Sequence, residues 1–356
     1  MTVWAAVPLS LCAAAAVTER GALVASRVAR LTGFMDWPVG YKGHRSPTPY
    51  LGGAAVIAAV LLAWIAFGAS GRLATIAAGT VLLCLVGTVD DRVNLAPQWR
   101  ILAEVGVAGL LWGADLGVTA FGAAVPDLAA TVFWVVAAVN AFNLMDNIDG
   151  ACASIAGISA AGLAAAALAY GQPSAAIMAV AVSGGCLGFL RHNLAAPARI
   201  FLGDGGSMPL GFLVAGLSIA VTRGRAIGPP ELVACVLFAG LPVLDTTLVM
   251  ISRYRRGANL ITGGRDHLTH RLLTRLRTPR RVTLTLACVQ AALVTLVALA
   301  LRIGPEAVVG LAGALALPAT AALMLLESPP WAPPSPGPAL TERPSEPAAP
   351  FTVDIA

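Results

Sequence analysis

Long apolar runs separated by short polar ones dominate this 356-residue chain. Eleven such runs recur, and a helix of roughly 20 residues is needed to cross the hydrocarbon core of a bilayer. The pattern predicts an all-α polytopic membrane bundle with about 10 to 11 transmembrane helices. The runs are Val3 to Val17, Tyr50 to Ala69, Leu73 to Val89, Ile101 to Leu116, Leu128 to Val139, Ala151 to Tyr170, Ser174 to Leu190, Ser207 to Val221, Glu231 to Met250, Val282 to Leu301 and Ala307 to Leu326.

Composition supports the same reading. Hydrophobic residues make up 58% of the chain, charged residues only 12%, and the mean hydropathy is +0.81. Such a chain cannot present the polar surface of a soluble globule, so the lipid bilayer is its first expected partner and no nucleic acid is expected. No basic residue precedes the first run, which favours an uncleaved span over a signal peptide. The six cysteines lack metal-type spacing and are expected to serve as packing residues.

Charge predicts the orientation of the chain, and composition predicts its division into domains. With alternating connections, 19 of the 23 Lys and Arg residues fall on one side, and that side is cytoplasmic by the positive-inside rule. Residues 1–326 are then an integral membrane domain. Residues 327–356 contain nine prolines and few apolar runs, and they are expected to form a disordered cytoplasmic tail.

Five aspartates stand at the ends of these apolar runs, and all five fall on the basic side: Asp90, Asp91, Asp146, Asp149 and Asp204. Carboxylates at the edge of a bilayer are costly, so they indicate a functional site. The Asp90–Asp91 pair alone could be no more than a solvated helix end. Together, the five predict an active site in the cytoplasmic loops.

Two acidic segments carry more information than the pair. If residues 140–150 are helical, the polar residues of Asn140-Ala-Phe-Asn143-Leu-Met-Asp146-Asn-Ile-Asp149 form a ladder along one face. In the second segment, Asp204 stands among glycines just before another span. Glycine permits close approach of a ligand to the backbone, and the amides of a helix start favour phosphate.

Four segments in order resemble the signatures of the polyprenyl-phosphate N-acetylhexosamine-1-phosphate transferases, which are of the glycosyltransferase family 4 type. They are Gly87 to Arg92, Asn140 to Gly150, Phe189 to Ser207 and Gly264 to Leu272, with a further match from Asp36 to Gly53. The resemblance covers about residues 18 to 281 and keeps the motif order.

This resemblance implies a reaction at the cell (inner or plasma) membrane. Such an enzyme transfers a sugar 1-phosphate from a UDP-N-acetylhexosamine, here UDP-N-acetylglucosamine, to polyprenyl phosphate and releases UMP. It requires Mg²⁺, with Mn²⁺ as the alternative ion, and acts at the first membrane step of a cell-envelope glycan pathway. A homodimer is left open, as is the choice between direct attack and a covalent aspartyl intermediate, although the ionised phosphate acceptor favours direct attack.

The resemblance also implies roles for individual residues. Asp204 is the first expected metal ligand, Asp91 its helper, and Asp90 a base or a positioner of the acceptor. The full catalytic set is Asp90, Asp91, Asp204, His267 and His270. The substrate-binding set is Lys42, His44, Asn140, Asn143, Asp146, Asp149, Asn193 and Arg271.

Three positions depart from the family pattern, namely Asn94, Asn147 and Thr269. Within the family, the alternative is the branch that accepts a muramoyl-pentapeptide nucleotide. Outside it, a transporter would place polar groups near the middle of the bilayer, not on one face. A magnesium prenyltransferase would also use paired aspartates, but the segments at Asp36 and Phe201 match the phospho-sugar transferases better.

Overall fold

The computed structural model describes residues 2–37, 46–223, 228–260, 264–329 and 331. These residues form thirteen α-helices, one short 3₁₀ turn and a two-stranded antiparallel ribbon, in which β1 (Met35–Asp36) pairs with β2 (Thr48–Pro49). The predicted all-α membrane architecture is confirmed. The helices are α1 Val3–Thr32, α2 Gly52–Gly68, α3 Ala74–Val93, α4 Pro97–Gly113, α5 Ala124–Met145, α6 Ala151–Ala169, α7 Pro173–Asn193, α8 Asp204–Thr222, α9 Pro229–Phe238, α10 Gly240–Arg255, α11 Leu268–Leu276, α12 Pro279–Ile303 and α13 Pro305–Leu326.

Each of the eleven apolar runs contains helix, but the lengths differ from the prediction. Eight helices in the described part of the chain are long and apolar enough to cross a membrane, or nine if α9 and α10 form one broken span. Helices α2 and α4 have 17 residues each, which is about 25 Å of helix and short of the hydrocarbon core. Helix α1 continues fifteen residues past the predicted end of its run, to Thr32.

Helix α1 is held by a stripe of small side chains. Its buried residues recur about every four positions, and they are Ala6, Ser10, Ala14, Thr18, Ala22, Ser26 and Ala29. This stripe packs against α7, where Gly184 and Gly188 lie directly beneath the α1 carbonyl oxygens of Leu11 and Ala15. Small residues on both sides let two helix backbones approach closely, which is how helices associate without a hydrophobic driving force.

Helix α8 is the centre of the bundle. Every residue from Gly205 to Thr222 is buried, and α8 packs against α2, α3, α5, α6, α7 and α9. A helix that is apolar on all sides can satisfy its side chains only in such a position. The N-terminus of α8, where Asp204 stands, is therefore surrounded by the ends of its neighbours.

The ninth predicted run is broken. Helices α9 and α10 meet at Ala239 with a bend of 84°. The buried amide of Gln290 on α12 bridges the break, because its Nε2 donates to the Phe238 carbonyl (2.8 Å) and its Oε1 accepts from the Leu241 amide (3.4 Å). A buried backbone group that is freed by a helix break needs such a partner.

One end of the bundle collects the polar motifs. Helices α3, α5 and α7 end there with Asp90, Asp146 and Asn193, and α8 begins there with Asp204. This is the end that the sequence marks as basic. Lys42 and His44 lie outside the described residues, as does most of the expected tail, although Glu327 at its start forms an ion pair with Arg271 (2.9 Å).

Candidate active site

The N-terminus of α8 is capped by a residue from another helix. Both oxygens of Asp91, at the end of α3, accept backbone hydrogen bonds, from the amide of Asp204 (2.9 Å) and from that of Gly205 (3.1 Å). These are two of the amides that have no partner within the helix itself. The carboxylate also complements the positive end of the helix dipole. Asp91 thus fixes the position of Asp204.

Glycines allow this junction to form. A side chain at Gly87 on α3 would overlap the backbone of Asp204, and one at Gly53 on α2 would overlap the backbone of Gly206. The segment before α2 is also pinned to the segment before α8, since the amides of Gly52 and Gly53 donate to the carbonyls of Phe201 and Leu202. Three chain segments therefore meet at backbone distance around Asp204.

Arg100 at the start of α4 connects the acidic groups. Its Nη1 lies 2.9 Å from Asp90 Oδ2 and 3.3 Å from Asp204 Oδ2, and its Nη2 donates to Asn143 Oδ1 at 2.7 Å. The planar guanidinium can hold several oxygen acceptors at fixed angles. One cation therefore balances two of the five aspartates and orients an amide.

Asn143 completes this cluster from α5. Its Nδ2 donates to Asp204 Oδ1 (2.7 Å) and to Ser207 Oγ (2.9 Å). One turn deeper, Asn140 Nδ2 donates to Glu104 Oε2 (2.6 Å) on α4. Asn140 therefore supports the α4–α5 pair, and only Asn143 of these two amides contacts the acidic cluster.

The expected helical ladder is only partly helical. Helix α5 ends at Met145, so Asp146 is its C-cap and Asp149 lies in the turn that Gly150 closes with a φ of 79°. Asn193 fastens this turn, because its Oδ1 accepts from the Gly150 amide (2.6 Å) while its Nδ2 donates to the Ile200 carbonyl (3.0 Å). Asn193 thus acts on the site through the backbone of the turn.

Negative charge accumulates beside this turn. Burial and the carboxylates of Asp204, Asp91 and Asp149 raise the pKa of Asp146 well above its ordinary value, although the Gly203 amide opposes the shift by a hydrogen bond. Like charges at close range favour protonation of one of them unless a cation is present. The local field therefore favours a bound cation.

Accessibility separates the aspartates of the cluster. The Asp90 side chain is 6% exposed, whereas that of Asp204 is 29% exposed. Asp90 also accepts from the backbone amide of Leu95 (2.6 Å), which ties it to the chain after α3, whereas the side chains of Asn143 and Arg100 hold Asp204. Asp204 is placed to meet a ligand, and the geometry of Asp90 favours the role of positioner over that of base.

The loop before α11 is anchored by ion pairs. Asp266 receives Nε and Nη2 of Arg253, both at 2.8 Å, and Nη2 of Arg256 at 2.9 Å. Burial pushes the pKa of Asp266 up, but the hydrogen bonds and charge of Arg253 outweigh it and lower that pKa to about 2. Asp266 is therefore ionised at neutral pH and holds the loop to α10.

Arg271 also anchors this region of the chain. Its guanidinium is buried and donates to the Asp266 carbonyl, to Ser252 Oγ, to Glu327 Oε1 and to the Leu326 carbonyl. These bonds tie α11 to α10 and to the end of α13. The geometry favours a structural role for Arg271 over the substrate contact expected from the sequence.

The two histidines of this loop have different environments. His267 Nδ1 lies 2.8 Å from Asp245 Oδ2 on α10. The ring of His270 is 6.1 Å from that of His267, and its buried Nδ1 has no partner among the described residues. Burial, followed by the charges of His267 and Arg265, lowers the pKa of His270 to about 4. His270 is therefore a neutral imidazole at pH 7.

Comparison with known proteins fits this arrangement. The sequence profile described as glycosyl transferase family 4 matches residues 73–222, which include Asp90, Asp91, Asn143 and Asp204. The undecaprenyl-phosphate alpha-N-acetylglucosaminyl 1-phosphate transferase of Yersinia pestis is 30% identical over 308 residues, covering 80% of this chain and 82% of the relative. This chain belongs to glycosyl transferase family 4.

Two further relatives cover similar lengths. The Escherichia coli K12 undecaprenyl-phosphate alpha-N-acetylglucosaminyl 1-phosphate transferase is 30% identical over 74% of this chain and 76% of its own. The decaprenyl-phosphate N-acetylglucosaminephosphotransferase of Mycobacterium tuberculosis is 30% identical over 74% of this chain and 73% of its own. The resemblance seen in the motifs is therefore confirmed as membership of the family.

The departures from the family pattern have local explanations in this transferase. Asn94 ends α3 with a φ of 51°, a left-handed conformation that Asn adopts more readily than most residues. Thr269 Oγ1 donates to Asn147 Oδ1, so two of the three departures contact each other. This contact joins α11 to the turn that carries Asp146 and Asp149.

Sequence reasoning missed Arg100 and Glu104 of the transferase. In the sequence, Arg100 is only one of the basic residues that predict the orientation, and Glu104 is a carboxylate inside an apolar run. Their spacing of four residues, opposite two asparagines spaced by three, was the available signal. It indicates two matching polar faces, but only the packing of α4 against α5 shows that they pair.

Replacing Arg100 with Lys is expected to lower kcat/KM by roughly 10- to 100-fold. The substitution keeps the positive charge but cannot hold Asp90, Asp204 and Asn143 at the same time, since a lysine ammonium is a compact point charge. Steady-state transfer assays would measure the change. Lysine at Arg72, on the opposite side of the bundle, is the matched control, and equal activity of the two variants would contradict the role of Arg100.

Proposed function

We propose that this transferase moves N-acetylglucosamine 1-phosphate from UDP-N-acetylglucosamine to a polyprenyl phosphate and releases UMP at the cytoplasmic face of the membrane. The observation that carries the proposal is the cluster of Asp204, Arg100, Asp90 and Asn143 at the N-terminus of the central helix. The relatives named above act on undecaprenyl or decaprenyl phosphate, and their names specify the N-acetylglucosaminyl group.

An apolar groove beside the cluster supports a lipid acceptor. It is an open groove of about 630 Å³ between α4 and α5. Every residue that lines it is apolar: Ile101, Val105, Val125, Leu128, Ala129, Val132, Phe133, Val136 and Ala137. Ile101 follows Arg100 directly, and Ala137 lies three residues before Asn140. A chain in this groove would present its phosphate to the polar end of α4.

The carboxylates fit a magnesium ion in type. The described residues contain no group of three His, Cys, Asp or Glu side chains arranged to hold a metal. Mg²⁺ usually takes only one or two carboxylates and completes its shell with water and substrate phosphates. Asp204 is the accessible carboxylate, and Asp91 accepts from its backbone amide. When bound, Mg²⁺ would neutralise charge on the donor diphosphate; Mn²⁺ offers the same ligand preference.

The chain's own residues would mainly position the reactants. A phosphate monoester is already largely ionised near neutral pH, so the acceptor needs placement more than a strong base. Arg100 supplies positive charge toward the acceptor phosphate, and Asp90 holds Arg100 in place. The turn from Asp146 to Asp149, fixed by Asn193, would hold the nucleotide side, with Lys42 and His44 meeting phosphate. We propose direct attack of the acceptor on the donor phosphorus, without an aspartyl intermediate.

One assay tests the reaction. Purified transferase in detergent should release UMP from UDP-N-acetylglucosamine only when polyprenyl phosphate and Mg²⁺ are both present. Acceptance of UDP-muramoyl-pentapeptide alone would overturn the sugar assignment. Radiolabel from the donor trapped covalently on Asp90 or Asp91 would overturn direct attack, while release of UMP without an acceptor lipid would overturn transfer to the lipid.

A further inference from the structure

Asp245 on α10 forms a buried pair with His267 that neither the acidic cluster nor the groove explains. Its side chain is fully buried, and its two oxygens have different partners. Oδ2 lies 2.8 Å from His267 Nδ1, and Oδ1 accepts from the Leu268 amide at 2.5 Å. One carboxylate therefore caps the N-terminus of α11 and fixes the imidazole of the residue before it.

The pairing determines which nitrogen of His267 is available. A carboxylate oxygen only accepts, so Nδ1 must carry the proton that it donates to Asp245. The other ring nitrogen, Nε2, is then the atom that can bond to a substrate.

The surrounding anchors make the orientation rigid. Asp266, one residue before His267, is held by Arg253 and Arg256, while Thr269 bonds to Asn147 in the turn that carries Asp146 and Asp149. His267 thus stands between a fixed loop and the acidic turn. Its ring can move little without breaking one of these contacts.

We propose that Asp245 is a positioning residue of the transferase, which acts through His267 so that the imidazole presents Nε2–H to an anionic oxygen of the donor diphosphate. The inference rests on the proposed function, because it needs a diphosphate donor at the acidic turn. No covalent bond is formed or broken in this contact. With Nδ1–H donated to Asp245, Nε2 carries a second proton in the donor complex, and this N–H donates to a diphosphate oxygen as charge develops on the leaving phosphate.

Replacing Asp245 with Asn separates the two roles of the carboxylate. The Leu268 amide can only donate, so the Asn oxygen must face it and the Asn amide group must face His267 Nδ1. That nitrogen would then have to accept, which leaves His267 neutral with its proton on Nε2. The helix cap and the proton on Nε2 are retained, but the negative charge beside Nδ1 and the Nδ1 proton are lost.

We expect D245N to lower kcat by about 100-fold or more with little change in KM for UDP-N-acetylglucosamine. In an H267N background, D245N should cost little further activity, since its effect runs through His267. Replacing Thr246 with Val is the matched control, because its buried hydroxyl has no partner among the described residues. T246V should retain wild-type kcat.

Nitrogen-15 NMR of labelled histidine in the wild-type protein provides a readout that does not depend on any variant folding. Protons on both Nδ1 and Nε2 of His267 are expected in the complex with UDP-N-acetylglucosamine. A His267 that carries a proton on only one ring nitrogen in that complex would overturn the proposal, and so would full kcat in D245N or an equal loss in the H267N background. In each of these cases the wild-type protein would still release UMP. A failure of the proposed role of Asp245 is therefore distinct from a failure of the proposed reaction.

Discussion

Asp204→Asn is expected to remove transfer activity by roughly 1,000-fold or more while leaving the protein as stable as the wild type or more stable. Asn has nearly the same shape as Asp, so the hydrogen bond from Asn143 and the packing of α8 can persist. The substitution replaces the accessible carboxylate of the cluster with an uncharged amide. It also relieves the repulsion with Asp91 and Asp146 that the structure indicates.

Opposite changes in activity and stability are the signature of a functional charge. Phospho-sugar transfer to the lipid and thermal unfolding in detergent would be measured on the same preparation. Asp115→Asn is the matched control, because this exposed aspartate pairs with Arg223 away from the cluster. Full magnesium-dependent turnover by D204N would refute its role as metal ligand, and a large drop in stability would show that Asp204 is structural.

Gly87→Ala is expected to destabilise the transferase by about 3 kcal/mol, at the upper end for overpacking, and to lower its turnover severely. The added methyl group would meet the carbonyl of Asp204 and the amide of Gly205 well inside 3.0 Å. Backbone atoms cannot rotate away as a flexible side chain can. Helix α3 or the start of α8 must therefore shift, and Asp91 and Asp204 shift with them.

The matched control for Gly87 is another glycine within a helix, at a position with open space around it. Gly109 in α4 has nothing within 4 Å of an added methyl group, so Gly109→Ala should retain stability and activity. Thermal unfolding and steady-state transfer of both variants give the comparison. If G87A and G109A behave alike, the close junction between α3 and α8 does not position the site.

The acidic residues could be found from the sequence because of where they lie. A carboxylate at the end of an apolar run is unusual whatever it contacts, so Asp90, Asp146 and Asp204 were identifiable without a structure. Their individual roles were not. Asp91 and Asp204 are both aspartates near a helix end, yet Asp91 caps a helix while Asp204 is partly exposed. That difference depends on contacts 113 residues apart in the chain.

The cationic and histidine partners show the same limit. Arg100 joins three groups from α3, α5 and α8, and Asp245 reaches a histidine 22 residues later in the chain. Spacing within one helix shows which residues share a face, but not which helix that face meets. Arg271 shows the limit from the other side, since its motif predicts a substrate contact, whereas the structure shows its buried guanidinium bonded to Ser252 and Glu327.

The sequence by itself determined that this protein is an all-helical membrane bundle with its acidic motifs at the basic end. Hydropathy and charge can be read from short stretches of sequence. In a bilayer, hydropathy determines which segments span the membrane, and the distribution of Lys and Arg determines which end faces the cytoplasm. The tertiary structure decided that α8 is central, that Arg100 links the carboxylates and that Asp245 fixes His267. These features depend on which helices pack together. Helix pairing in a bilayer is determined by small residues and polar contacts between helices, and the hydropathy of one apolar run does not predict it.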